Sequence, residues 1–256
     1  MDRLLFSRHV LPLFIIFLIF TINLSGQDSN ILYPVNDIER KLVYDEFEIF
    51  RFRDLRFVGD IGKQVILKYI DNNDLKIKWR RALKGGHEFN NAPRFEVAAY
   101  ELQKLYLDEN EYPVPPTVCR VFPMNEYLTI EKDAQPTFKN PDMVLVMMQY
   151  WLNEVTVGGE VYDKEKFKND PLYAKHFANA NILTHLIKHV DSNEGNLLTS
   201  TDQENPRVFT VDNGVSFSSE ISDRGTKWRY IMVKRLPQKT IAVSYTHLTL
   251  PTNREV

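Results

Sequence analysis

The sequence predicts an α+β protein with a β-rich first part and a mainly helical second part. Three observations lead to this prediction. Strand-like runs fill the stretch from about residue 47 to 81, prolines interrupt the chain between residues 113 and 116, and apolar residues recur at helical intervals from 171 to 188. With 43% hydrophobic and 26% charged residues, the composition is that of a globular protein and not of a disordered one.

The N-terminal residues carry the pattern of an export segment. Arg3 and Arg8 precede an apolar run from Val10 to Leu24, which is typical of a signal peptide or a short signal anchor. The run is shorter than the roughly 20 apolar residues of a comfortable membrane span, so we expect cleavage near Ser25 or Gly26. Residues 1–26 are assigned to this segment. In either case the rest of the chain is expected to be exported, to a periplasmic, extracellular or outward-facing anchored location.

The C-terminal residues, VSYTHLTLPTNREV, read as the translation of a transposon-end adapter of the kind used in sequencing libraries. We therefore expect residues 243–256 to be an adapter artefact and the domain to be C-terminally truncated. The remaining stretch of about 215 residues is long enough for one domain of two lobes. We expect an N-terminal lobe over residues 27–152 and a partial second lobe over residues 153–242.

Charge and cysteine content narrow the classes of function. The formal net charge is −2, which gives no electrostatic reason to expect a nucleic acid or an anionic membrane as partner. Membrane contact is therefore expected only through an uncleaved N-terminal segment. Cys119 is the single cysteine, and no spacing of cysteine and histidine suggests a zinc site.

The first part reads as strands around one helix. The runs DLRFVGDIGK, QVILKYI and LKIKWRRA predict three antiparallel strands, with a turn at residues 71–74. The following run, PRFEVAAYELQKLYL, has helical spacing and begins at Pro93. After an extended, proline-rich connector, two more strands are expected around residues 118–122 and in DMVLVMMQYW. The predicted order is β-β-β-α-β-β, and the helix at 171–188 then leads into HVDSNEGNLL.

The stretches HVDSNEGNLL and VDNGVSF place Asp191, Asn196 and Asp212 beside strand-like runs. Phosphoryl transfer needs a carboxylate to orient the attacking hydroxyl and oxygen ligands to hold Mg²⁺ against the phosphates. Kinase-like folds supply these from an H-x-D loop, an Asn five positions after the Asp, and a second Asp after a short hairpin, and all three spacings match. The alternatives are an Asx turn, a fragment of a calcium loop, and a plain hairpin turn at Asp212.

Upstream residues extend the same hypothesis. Lys78 lies on the third predicted strand and Glu96 in the first turns of the next helix, the order in which a kinase fold places its phosphate-binding lysine and the glutamate that holds it. Lys76 shares a strand face with Lys78 and remains an alternative. Gly59 and Gly62 lie between the first two strands, where glycine allows backbone N–H groups to approach phosphate.

These motifs, together with FEVAAYELQKLYL and YPVPPT, span residues 55–217 and resemble the atypical branches of the kinase-like superfamily. The similarity is to phosphatidylinositol 3- and 4-kinase catalytic domains and to secretory-pathway kinases of the Golgi casein kinase type, and most of all to uncharacterised bacterial relatives of these. It implies a bilobal kinase-like fold, in which an antiparallel sheet with one helix forms the N-lobe and a mainly helical C-lobe follows.

The resemblance also implies roles by position. Lys78 would contact the α and β phosphates of ATP while Glu96 holds it. Asp191 would be the catalytic base, and Asn196 with Asp212 would bind Mg²⁺ or Mn²⁺. The residues implied for the hinge beside adenine are Gln149, Tyr150 and Trp151, within Met147–Leu152.

Two functions follow from this resemblance. The first is an exported ATP- and Mg²⁺-dependent phosphotransferase acting on a hydroxyl-bearing acceptor, and the joint presence of all the implied site residues favours it. The second is an inactive pseudokinase that serves as an extracytoplasmic binding module. Val190 and Ser192 stand beside Asp191 where the kinase patterns have an arginine, and no acceptor-binding signature follows Gly214. These departures bear on the acceptor and on turnover, whereas export favours the second function because nucleotide is scarce outside a bacterial cytoplasm.

Overall fold

The computed structural model describes residues 28–55, 62–88, 92–157, 162–191, 193–217 and 232–247. The predicted export segment and Gly59 lie outside these residues. Residues 248–256 of the predicted artefact also lie outside them, and residues 243–247 end the last described helix. Among the described residues, no helix is both long enough and apolar enough to span a membrane.

The first half of the chain is built around an antiparallel sheet. Its strands are β1 (Glu48–Asp54), β2 (Gly62–Lys68), β3 (Leu75–Arg81), β4 (Thr117–Pro123), β5 (Phe138–Lys139) and β6 (Asp142–Tyr150). The spatial order is β1-β2-β3-β6-β4, with β5 beside β6. The predicted position of the first strand was wrong, since β1 ends at Asp54, where the predicted strand DLRFVGDIGK begins. The sequence pattern missed β1 because this strand is exposed along almost its whole length and lacks the apolar alternation of a half-buried strand.

Helices cover the two faces of this sheet. Helices α1 (Val35–Val43) and α3 (Met124–Tyr127) pack on the face that carries Ile77 and Trp79. Helix α2 (Pro93–Gln103) begins at the predicted Pro93 and packs against β4. Because side chains alternate along a strand, Lys78 lies on the face opposite Ile77 and Trp79. Helices α1 and α3 add to the single helix expected in this half.

The second half combines helices with a small sheet. The helices are α4 (Lys164–Asn169), α5 (Pro171–Leu186) and α6 (Gln238–His247), and β7 (Val155–Val157), β8 (Leu197–Ser200) and β9 (Val208–Thr210) form a three-stranded antiparallel sheet. Helix α5 matches the predicted helix. Its start is fixed by Pro171 and by Asp170, whose carboxylate accepts the N–H groups of Leu172 and Tyr173 at 3.0 Å.

The segment of residues 28–31 ties the two halves together. The Asn30 side chain donates to the carbonyls of Asn153 (3.0 Å) and Glu154 (3.1 Å), directly after the last strand of the large sheet. Asp28 pairs with Arg207, a side chain that is only 1% exposed. Burying a guanidinium is unfavourable unless a carboxylate compensates it, so this pair fastens the segment to the second half.

Candidate active site

The loop after α5 carries Asp191 in a buried position. Asn196 Nδ2 donates to the Asp191 backbone oxygen at 2.8 Å and lies 3.4 Å from Asp191 Oδ2, and Asn193 Nδ2 lies 3.2 Å from Oδ1. Asn193 also accepts the N–H of Gly195 at 2.8 Å, so the Asx turn considered from the sequence does form. It is centred on Asn193 and leaves the carboxylate of Asp191 held by two side-chain amides.

A second loop, after β9, lies against the first. Val190 N donates to Val215 O at 3.1 Å, and Val211 N donates to Asn196 O at 3.0 Å. The structure therefore brings Asp191, Asn196 and the Asp212 loop together, as the spacing predicts.

His189 braces the contact between these loops. Its Nε2 lies 3.0 Å from the backbone oxygen of Asp212, which can only accept, so Nε2 carries the hydrogen. Thr210 Oγ1 lies 3.5 Å from Nδ1. Burial lowers the pKa of His189, which keeps the ring neutral, and its position is that of a support for Asp212.

Asp212 lies at the centre of the charged cluster. Its backbone has a φ of 56°, a left-handed conformation that Asp tolerates better than most residues. The Lys78 Nζ contacts Asp212 Oδ1, and Arg80 Nη1 is 4.0 Å from the same oxygen. Burial alone would raise the pKa of Asp212, but the charge and hydrogen bond of Lys78, with the charge of Arg80, hold that pKa below its ordinary value.

Glu96 is buried beside this pair. Its Oε2 accepts the N–H of Asn213 at 2.9 Å, and its Oε1 has no hydrogen-bond partner in the part of the chain that the structure describes. Burial, followed by the charge of Asp212, raises the pKa of Glu96 to about 7, against the opposing charges of Lys78 and Arg80.

The expected pairing of Lys78 with Glu96 differs from what the structure contains. Within the described part of the chain, Lys78 forms its ion pair with Asp212 and none with Glu96. In this arrangement the charge and hydrogen bond of Lys78 lower the pKa of Asp212, whereas burial and the charge of Asp212 raise the pKa of Glu96. Glu96 instead holds the Asp212 loop through the backbone of Asn213.

Across the sheet, Lys78 lies beside Gln149 of β6, the strand that continues into the predicted hinge. Gln149 lies directly between Lys78 and Thr117 in the strand register, and its Nε2 donates to Thr117 Oγ1 at 2.9 Å. Lys76, the alternative lysine, has its Nζ 5.9 Å from the centroid of the Trp151 ring. Lys78 and not Lys76 therefore reaches Asp212.

The other residues implied to contact the nucleotide are Tyr150, Trp151 and Gly62, and they differ in what they present to the cleft. Tyr150 belongs to the core on the opposite face of the sheet, where its hydroxyl accepts the Leu32 N–H at 3.2 Å, so only its backbone could meet a base. Trp151 is half-buried, and its backbone N–H donates to the backbone oxygen of Lys76 at 2.9 Å. Gly62 begins β2 as the register partner of Arg80.

Sequence reasoning missed Arg80. The sequence does indicate that Arg80 points to the same side as Lys78, because it follows Lys78 by two positions on a strand and side chains alternate between the two faces.

The donor atoms fit a hard divalent cation. Mg²⁺ and Mn²⁺ prefer carboxylate and amide oxygens, which Asp212 and Asn196 supply. Glu96 Oε1, a buried oxygen with no hydrogen-bond partner among the described residues, is a further candidate ligand. No group of three or more His, Cys, Asp or Glu side chains that could hold a metal occurs among the described residues. Mg²⁺ is commonly bound by one or two protein carboxylates together with water and substrate phosphates.

Comparison with solved structures identifies the fold. No protein-family model and no curated protein matches the sequence. The Golgi casein kinase with Mn and ADP bound superposes with a TM-score of 0.55 at 13% identity, over 87% of this chain and 68% of that chain. A second Golgi casein kinase structure gives 0.50 at 12% identity, over 87% and 67%. Hydra Fam20 with sugar gives 0.54 at 14% identity, over 85% and 76%.

These similarities carry information about fold and not about activity, because the identities are low. They confirm the predicted bilobal arrangement with an antiparallel N-lobe sheet. The resemblance to phosphatidylinositol kinases and to bacterial relatives stays a prediction. The chain thus has an atypical kinase-like fold of the kind found in the Golgi casein kinase and Fam20.

Proposed function

We propose that the protein is an exported phosphotransferase that uses ATP with Mg²⁺ or Mn²⁺ to phosphorylate a hydroxyl-bearing acceptor. The observation that carries this proposal is the convergence of Lys78, Glu96, Asp191, Asn196 and Asp212 in one place, from separate elements of a kinase-like fold. Export rests on the sequence of residues 1–26.

The residues of the cluster divide into those that would bind phosphate, those that would bind the cation and the one that would accept a proton. A bound nucleotide with its cation would supply the transferable phosphoryl group. Lys78, on a rigid strand, would donate to phosphate oxygens, and Asp212 with Asn196 would hold the cation. Asp191 would accept the proton of the acceptor hydroxyl, since its carboxylate is oriented by the amides of Asn193 and Asn196.

Lys78 and Asp212 form an ion pair in which each partner neutralises the other. Binding of a nucleotide with its cation would part them, with Lys78 turning to phosphate and Asp212 to the cation. In the second function, an inactive binding module, this ion pair would stay in place.

A thermal-shift titration separates these functions. On the protein beginning at Gln27, ATP with Mg²⁺ or Mn²⁺ at a hundredfold excess over its dissociation constant should add about 2.7 kcal/mol of stability. Asp212→Ala should abolish the shift, whereas the control Asp133→Ala, an exposed aspartate, should keep it. The absence of a shift in the wild-type protein would end the phosphotransferase proposal.

Transfer itself is tested with Asp191→Asn. This variant should bind nucleotide normally but release no ADP when hydroxyl-bearing proteins, sugars and lipids are offered, because it lacks the base. Loss of nucleotide binding in Asp191→Asn would contradict the role given to this carboxylate. A nucleotide-binding wild-type protein that transfers phosphate to none of the three acceptor classes would favour the binding module.

A further inference from the structure

Arg80 occupies a defined place relative to the predicted hinge. In the register of β3 with β6, Lys78 pairs with Gln149 and Arg80 with Met147. Because β6 runs into the hinge after its last residue, Arg80 lies two residues farther from the hinge than Lys78, about 6.6 Å along the strand. On its other side, Arg80 is the register partner of Gly62, at the end of the glycine-containing connection between β1 and β2.

The charge of Arg80 is directed into the cluster. Its side chain is only 13% exposed, and its Nη1 is 4.0 Å from the Asp212 oxygen that Lys78 contacts. A single carboxylate oxygen thus faces two cations. If a metal ion engaged that carboxylate, it would draw the negative charge of Asp212 away from both cations. A bound phosphate would restore a negative charge beside them.

We infer that Arg80 is a second phosphate-binding cation of the cleft, which contacts the terminal phosphate of a nucleoside triphosphate. The inference rests on the proposed function and adds to it a residue that distinguishes triphosphate from diphosphate. If the base lies at the hinge, the phosphate chain extends away from it along β3 and reaches Lys78 before Arg80. The phosphate beside Arg80 is then the terminal one. A guanidinium suits this position because its planar fork binds two oxygens of one phosphate.

The test compares two nucleotides on the full chain by isothermal titration calorimetry in Mg²⁺. Arg80→Met should weaken ATP binding about tenfold or more, the typical effect of losing a charged hydrogen bond, and should change ADP binding less than about threefold. The matched control is Arg51→Met, an exposed arginine on β1, which should leave both affinities unchanged. If Arg80→Met does not fold, Arg80→Gln makes the same comparison with a polar side chain.

The outcomes separate this inference from the proposed function. Equal weakening of ATP and ADP would overturn it, because Arg80 would then act only through Asp212. Unchanged affinities in Arg80→Met or Arg80→Gln, with a wild-type protein that binds ATP, would overturn the inference alone. A wild-type protein that binds neither nucleotide would overturn the inference and the proposed function together.

Discussion

Glu96 makes the stability of the nucleotide-free protein depend on pH in a direction opposite to that of most carboxylates. Its side chain is 2% exposed, and burial together with the charge of Asp212 raises its pKa to about 7 from an ordinary 4.5. A change of this size corresponds to about 3 kcal/mol between the protonated and ionised forms. Glu96→Gln removes the titration while preserving the shape of the side chain and an oxygen for the Asn213 N–H.

The sign follows from proton binding. Between pH 4.5 and about 7, the folded protein keeps the Glu96 proton whereas the unfolded chain has lost it. The folded state then binds more protons, so the contribution of Glu96 to the free energy of unfolding falls as pH rises. It is fully present below pH 4.5 and lost above about pH 7. Relative to Glu96→Gln, the wild-type protein should therefore lose about 3 kcal/mol across this window.

Urea unfolding at a series of pH values from 5 to 8, in chelator, measures this difference. Glu101→Gln is the control, because Glu101 lies on the same helix with a side chain that is 55% exposed. Groups that do not interact with Glu96 titrate alike in the wild-type protein and both variants and drop out of the comparison, and Asp212, whose pKa lies below its ordinary value, stays ionised in this pH range. If the free energies of unfolding of wild type and Glu96→Gln run parallel from pH 5 to 8, the reasoning about this buried carboxylate is wrong.

Two further variants probe the contacts that hold the site in place. Asp28→Asn leaves the buried Arg207 without its carboxylate and should lower the free energy of unfolding by about 3 kcal/mol, whereas Ser29→Ala should cost far less; equal urea midpoints would contradict this. His189→Phe removes the hydrogen bond to the Asp212 backbone and should lower stability by about 1 kcal/mol while weakening Mn²⁺ binding with ATP, measured by calorimetry. Unchanged Mn²⁺ affinity would show that His189 does not position Asp212.

Local patterns in the sequence were sufficient for most of the fold. The helices that begin at Pro93 and Pro171 were predictable because proline and the apolar spacing mark their starts. The grouping of Asp191, Asn196 and Asp212 was predictable for another reason. Their spacings match the H-x-D, Asn and second Asp of kinase-like folds, and in the structure backbone hydrogen bonds join the two loops that carry them.

Partnerships between distant side chains could not be predicted in the same way. The pair of Asp28 with Arg207 joins residues 179 positions apart, and nothing in either local sequence marks it. The choice of Asp212 over Glu96 by Lys78 depends on how much each carboxylate is penalised by burial and helped by neighbouring charges. That balance exists only once the helix, the strand and the loop have been brought together.

The balance of charges in the cluster suggests how its ligands would arrive. A divalent cation alone would draw Asp212 from Lys78 and Arg80, and both cations would lose the negative charge of this carboxylate. A nucleotide alone would draw Lys78 away and leave the partly exposed Asp212 with less compensation for its charge. Both costs vanish when the cation and the triphosphate enter together, because each compensates the group that the other releases. We therefore expect each ligand to strengthen the binding of the other, and by linkage to the same extent.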